Sequence, residues 1–160
     1  FFNSRGQLFA CKAMGVVDVS EHNGAVDWET ARANGVEGVI IRIGFGYSRF
    51  DFQAQRNISE CKRLGIPFGV YLYSYAESVD EARHEGDFIV NALKQLGVTA
   101  NDLSYPIYYD LEEWTWTGHS PVTNPSANAA MVEACLRQIK SNGYTDVAVY
   151  SSILHGLKLP

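Results

Sequence analysis

A chain of 160 residues that is 46% hydrophobic can bury one sizeable core, which bounds it to a single domain of ordinary size. Its formal net charge of −5 speaks against a nucleic-acid surface, which needs clustered Lys and Arg. No apolar run approaches membrane-spanning length, and the cysteines Cys11, Cys61 and Cys135 lack metal-ligand spacing and read as isolated thiols packed in the fold.

The first stretch, FFNSRGQLFACKAM, differs in pattern from the remainder of the chain. Aromatic residues flank the turn-rich Asn3-Ser4-Arg5-Gly6, as in a short hairpin. Residues 1–14 therefore read as a linker or the end of a preceding module, and residues 15–160 as the domain. The opening Phe1-Phe2, in place of Met, gives the expectation that the chain is a piece of a longer protein.

From Gly15 a rhythm begins. GVVDVSE (15–21) is a short apolar strand ending in polar residues, and Trp28 to Asn34 is a short helix closed by Gly35. GVIIRIGFG (38–46) is a β-branched strand, followed by a helix over Phe52 to Leu64 that Gly65 ends. FGVYLYSYA (68–76) is a third strand. Ser78 caps a helix over Val79–Leu96, with Glu81 completing a capping box. YPIYYDLEEW (105–114) is the fourth strand, a helix runs from about Ser126 to Ser141, and DVAVYSS (146–152) is the fifth strand.

Strands that are near-continuous apolar runs, alternating with helices, predict a parallel sheet buried on both faces, hence an α/β fold. A barrel and a doubly wound sheet both fit that alternation. Asp18, Ser20, Tyr75, Asp110, Glu112 and Tyr150 all fall at strand C-terminal ends, which a barrel gathers into one mouth. Gly44-Phe45-Gly46 is no dinucleotide loop, because Arg49 stands where a third glycine belongs.

In a strand, Asp110 and Glu112 share a face and Glu113 points away, with the first two Cβ atoms about 6–7 Å apart. Carboxyls that close cannot ionise independently, so one proton is held more tightly. Such a pair offers an acid and a base at one pH, as glycosidic cleavage requires. The spacing alone fits two solvent-facing acids at a strand end equally well. Asp18, pointing opposite to Val17 and Val19, would join the pair if the strands close on one cavity. His22, His84, His119 and His155 have no ligand spacing, so no metal and no cofactor are assigned, although an all-carboxylate magnesium site stays an open reading. Of the many aromatic residues, most are expected to be core, and Tyr75, Trp114 and Tyr150 to face a sugar.

GVVDVSEHNGAVDW, GVIIRIGFG, FGVYLYSYAESVDEARHEGDFIV, YPIYYDLEE and DVAVYSS, in that order over residues 15 to about 154, resemble glycoside hydrolase family 25, the lysozyme-like N-acetylmuramidases of bacteria and their phages. The resemblance implies an irregular TIM-like β/α barrel and hydrolysis of the β-1,4 bond after N-acetylmuramic acid in peptidoglycan. By the same carry-over Glu112 is the proton donor, Asp110 its partner carboxylate and Asp18 the acid at the end of the first strand. A secreted or cell-wall-associated monomer acting on glycan strands is expected, without nucleic acid or membrane insertion. The alternatives are a catalytically weak cell-wall-binding barrel and a hydrolase of another N-acetylated glycan. Five strands cannot close a cylinder that takes about eight. The sequence therefore also predicts an incomplete barrel that continues past Pro160.

Overall fold

The structure is a computed structural model that describes residues 14–112 and 119–151, together with Arg5, Gln7 and Trp114. The predicted N-terminal hairpin, Cys11, Glu113 and His155 lie outside the described residues.

Strand β1 (Val16–Val19) leads to helix α1 (Trp28–Ala33), then to β2 (Gly38–Phe45), the short β3 (Arg49–Phe50) and α2 (Ala54–Leu64). Strand β4 (Phe68–Tyr73) precedes α3 (Val79–Gln95), β5 (Ile107–Asp110) precedes α4 (Pro125–Ser141), and β6 (Val147–Tyr150) comes last. The sheet order is β1-β2-β4-β5-β6, every neighbouring pair parallel. β3 is an antiparallel addition to β2 that the sequence pattern does not announce. The result is the α/β architecture expected, with an open sheet whose edges among the described residues are β1 and β6.

Local chemistry explains the boundaries. The Asp27 carboxylate accepts the Thr30 N–H at 3.0 Å and starts α1, and Asn124 does the same for α4 ahead of Pro125, whose missing N–H costs nothing in the first turn. Gly65 ends α2 with φ +64°, a left-handed conformation that only glycine adopts freely. At α3 the expected capping box is half formed. Ser78 Oγ accepts the Glu81 N–H at 3.2 Å, but the Glu81 carboxylate accepts the N–H of Glu77, one residue before the cap. The fourth strand ends at Asp110 rather than at Trp114, so Glu112 sits just beyond the regular ladder.

The core fills the space between one sheet face and the helices. Val39, Ile41 and Ile43 of β2, Val70 and Leu72 of β4, and Ile107 and Tyr109 of β5 join Trp28, Ile58, Ile89, Leu93, Met131 and Ile139. Cys61 and Cys135 are buried free thiols within it. At the bottom of the opposite face, Gly38 and Gly69 leave room for Tyr105. A Cβ on Gly38 would strike its phenol ring, and one on Gly69 would meet Tyr105 Cβ at 2.7 Å and the Pro106 carbonyl at 2.9 Å.

Candidate active site

Because successive strand residues face opposite sides, the residues left out of the core share the other face. There Asp18 lies opposite Ile40, Arg42 opposite Tyr71, Tyr71 opposite Tyr108, Tyr73 opposite Asp110, and Asp110 opposite Tyr150. These residues, with Ser20, His22, Tyr75 and Glu112, line a cleft of ≈ 660 Å³. The structure thus brings together five of the six residues singled out from sequence: Asp18, Asp110, Glu112, Tyr75 and Tyr150. Trp114 is displaced from this set. It lines a smaller neighbouring hollow of ≈ 210 Å³ with Phe45, Arg49 and His119, and its ring meets Tyr75 edge-on at 5.3 Å. Tyr75 borders both spaces.

A bulge shapes the wall beside Arg42. β2 pairs Arg42 with Tyr71 and then Gly44, not Ile43, with Leu72, so one extra residue enters β2. Such a bulge reverses the alternation. Phe45 consequently pairs with Tyr73, and its ring lies 6.0 Å from that of Tyr75.

Asp110 is 4% exposed, and its Oδ1 has no hydrogen-bond partner among the described residues. Burial, then the negative charges of Glu112 and Asp18, push its carboxyl up to about 8, against the opposing charge of Arg42. Burial also raises Asp18, while a hydrogen bond from the Tyr71 hydroxyl at 3.2 Å and the charge of Arg42 resist the rise. Tyr73 is pushed up to about 12, by burial first and then by Glu112 and Asp110. The cleft therefore concentrates acids in surroundings that resist their ionisation together.

Arg42 is the one Lys or Arg lining this cleft among the described residues. Its Nε donates to Asp51 Oδ2 at 2.8 Å. The wholly enclosed Asp51 carboxylate also accepts the Glu21 and Gln53 N–H groups, each at 2.9 Å. Arg42 Nη2 lies 3.3 Å from Glu21 Oε1 but makes no hydrogen bond among the described residues. The guanidinium carbon stands 5.1 Å from the centre of the Phe45 ring, within cation–π range.

Behind the sheet, Glu85 of α3 is fully buried. Its carboxylate accepts the Tyr75 N–H at 2.8 Å, the Ser74 hydroxyl at 2.7 Å and the Tyr109 hydroxyl at 2.6 Å. The Ser74 N–H donates to the Asp110 carbonyl at 2.9 Å. Burial raises Glu85 despite its three donors. This network fixes the β4 exit that carries Tyr75 against the strand that carries Asp110.

Residues 17–155 match Glycosyl hydrolases family 25. The chain belongs to that family. No curated protein sequence matches it. Among solved structures, the family 25 chain is similar to the modular autolysin LytC from Streptococcus pneumoniae, at 36% identity and a TM-score of 0.87, over 94% of this chain and 35% of that one. The autolysin has also been solved in complex with a synthetic peptidoglycan ligand. The catalytic domain of endolysin ply40 from bacteriophage P40 of Listeria monocytogenes shares the fold, at 21% identity and a TM-score of 0.73, over 91% of this chain and 66% of that one. So does a family 25 glycosyl hydrolase from Bacillus anthracis, at 14% identity and a TM-score of 0.76, over 92% of this chain and 64% of that one. The chain thus spans about a third of the autolysin, 35% of its length.

Sequence reasoning missed Arg42 and did not pick out Tyr71, Tyr73 and Tyr108 from aromatic residues expected to be mostly core. Strand parity places all four on the cleft face. Arg42 carried the same signal that drew attention to Asp110, a lone charge within an apolar run.

Proposed function

We propose that this family 25 chain hydrolyses the β-1,4 bond between N-acetylmuramic acid and N-acetylglucosamine in bacterial peptidoglycan, acting at or outside the cell wall. The observation that carries the reading is the convergence of Asp18, Asp110 and Glu112 in one tyrosine-walled cleft. The cleft volume of ≈ 660 Å³ suits a short stretch of glycan, and tyrosine faces stack on sugar C–H surfaces while their hydroxyls meet sugar oxygens. The peptidoglycan ligand held by the pneumococcal autolysin supports the substrate class.

Glu112 is assigned as general acid. It gives its proton to the glycosidic oxygen as the bond from that oxygen to the anomeric carbon breaks. The 2-acetamido oxygen of the same sugar forms the new bond to that carbon, and water later opens the ring, returning a proton to Glu112. Asp110 steadies this intermediate, the alternative being its own attack on the anomeric carbon. Among the described residues Asp110 has no donor on Oδ1, and it resists ionisation. An acetamide N–H presented to it favours the ionised form of Asp110, which then faces the positive charge that develops on the substrate. Asp18 orients the acetamide or balances the pair.

Purified cell walls digested with the protein should yield fragments whose new reducing end is muramic acid. Reducing ends on glucosamine would reject the bond assignment. Glu112→Gln should lower turnover about 10²–10⁴-fold with folding unchanged, since that is what general acid catalysis contributes.

A further inference from the structure

Arg42 is buried in the middle of a sheet, and such a charge is costly unless fully paired. It is paired, but its hydrogen bonding is incomplete among the described residues. Asp51 takes Nε at 2.8 Å and Glu21 Oε1 lies 3.3 Å from Nη2, so two carboxylates anchor the guanidinium from behind. Among the described residues Nη2 is buried without a hydrogen bond, and Glu21 approaches at 3.3 Å without the angle of a directed bond. An arrangement selected for stability alone would close that donor. A bulge lies immediately after Arg42, a device that re-aims side chains beside functional sites.

The groups facing Arg42 account for the incomplete hydrogen bonding. From β1 comes Asp18, and from β5 and its exit come Asp110 and Glu112. From β4 come Tyr71, Tyr73 and Tyr75, with Phe45 beside them; Tyr71 donates to Asp18. Behind stand Glu21 and Asp51, and Arg49 shares the Phe45 ring at 5.9 Å. His22 lines the same cleft, and Arg42 is the one Lys or Arg lining it among the described residues.

We infer that Arg42 is a positioning residue: anchored by Asp51, it supplies the positive charge against which Asp18 and Asp110 ionise when glycan is bound. The charge of Arg42 opposes the rise of both carboxyls, as this role requires. The inference rests on reading the cleft as the glycan-cleaving site.

The test combines carbon-13 NMR titration of the aspartate carboxyls with the pH profile of peptidoglycan cleavage, on the full chain. Arg42→Gln removes the charge, and the Asp110 titration and the limb of the rate profile that requires its ionisation should move up by about one pH unit or more, with kcat falling more than KM rises. Arg42→Lys keeps the charge and should leave both near their parental positions, at reduced rate. Asp51→Asn removes the opposing charge, and both should move down. Opposite shifts for Arg42→Gln and Asp51→Asn are something a merely structural role does not produce. If Arg42→Gln does not fold, the downward shift of Asp51→Asn decides. Titrations of folded variants that coincide with the parent overturn the inference. A parent that titrates as described yet cuts no peptidoglycan overturns the functional reading instead, so the two failures are distinct.

Discussion

Replacing Asp110 by Asn isolates the cost of keeping an acid in this cleft. The carboxyl is moved from 3.8 to about 8, mainly by burial and then by Glu112 and Asp18. Below pH 3.8 the folded and unfolded chains both carry the proton, and Asp110 makes no difference to the pH dependence. Between 3.8 and about 8 the fold keeps a proton that the unfolded chain has released, so stability falls as pH rises; above about 8 the cost is constant. Each tenfold change in proton affinity corresponds to about 1.4 kcal/mol, which sets a ceiling of about 4 kcal/mol at pH 7. Water in the open cleft raises the effective dielectric, so the observed effect should be about 2 kcal/mol. Asn keeps the shape and is neutral throughout. Urea unfolding of parent and Asp110→Asn from about pH 4 to about pH 9 should therefore show a gap that opens in favour of the variant as pH rises, while cleavage activity falls. A gap that stays flat across that range would refute the claim that the fold holds this proton.

Asp18→Asn should also reduce turnover, but less than Asp110→Asn, because Asp18 reaches the pair from another strand; a larger loss at Asp18 in initial-rate measurements would reverse the assigned roles. Gly38→Ala should cost about 1–3 kcal/mol by forcing a methyl against the Tyr105 phenol, and Tyr105→Leu should recover it. Gly69→Ala, whose clash includes the Pro106 carbonyl, should not be recovered by the same change in thermal melts. Glu85→Leu should cost about 3 kcal/mol or more in urea unfolding, since it strands the Ser74 and Tyr109 hydroxyls and the Tyr75 N–H, whereas Glu85→Gln should keep most of the stability.

The strands and helices were legible because the apolar runs, caps and glycines speak locally. Ser78 caps its helix where the sequence pattern put it, and Gly65 stops its helix for a steric reason. The acids were legible because Asp110 and Glu112 interrupt an apolar run. Tyr71, Tyr73 and Tyr108 were not picked out because a tyrosine in a strand reads alike on either face, and only the pairing of β4 with β5 says which face is the cleft. The β2 bulge and β3 escaped for a related reason. A one-residue excess shows only against the neighbouring strand, as the shift between Arg42 and Gly44 does. Glu85 went unnoticed because a glutamate on a helix ordinarily faces water; its partners Ser74, Tyr75 and Tyr109 arrive from two other elements.

The alternation of core and cleft along each strand also limits how this gene can change. Substitutions at Ile40, Tyr73 or Tyr108 alter the cleft wall and spare the hydrophobic layer beneath, so specificity can drift while the fold persists. Gain or loss of a single codon within β4 or β5 would exchange the two sets, turning Tyr71 or Asp110 toward the helices and Leu72 or Tyr109 into the cleft. Changes in length are therefore confined to the turns between elements, except where a bulge absorbs the odd residue, as β2 has done beside Arg42.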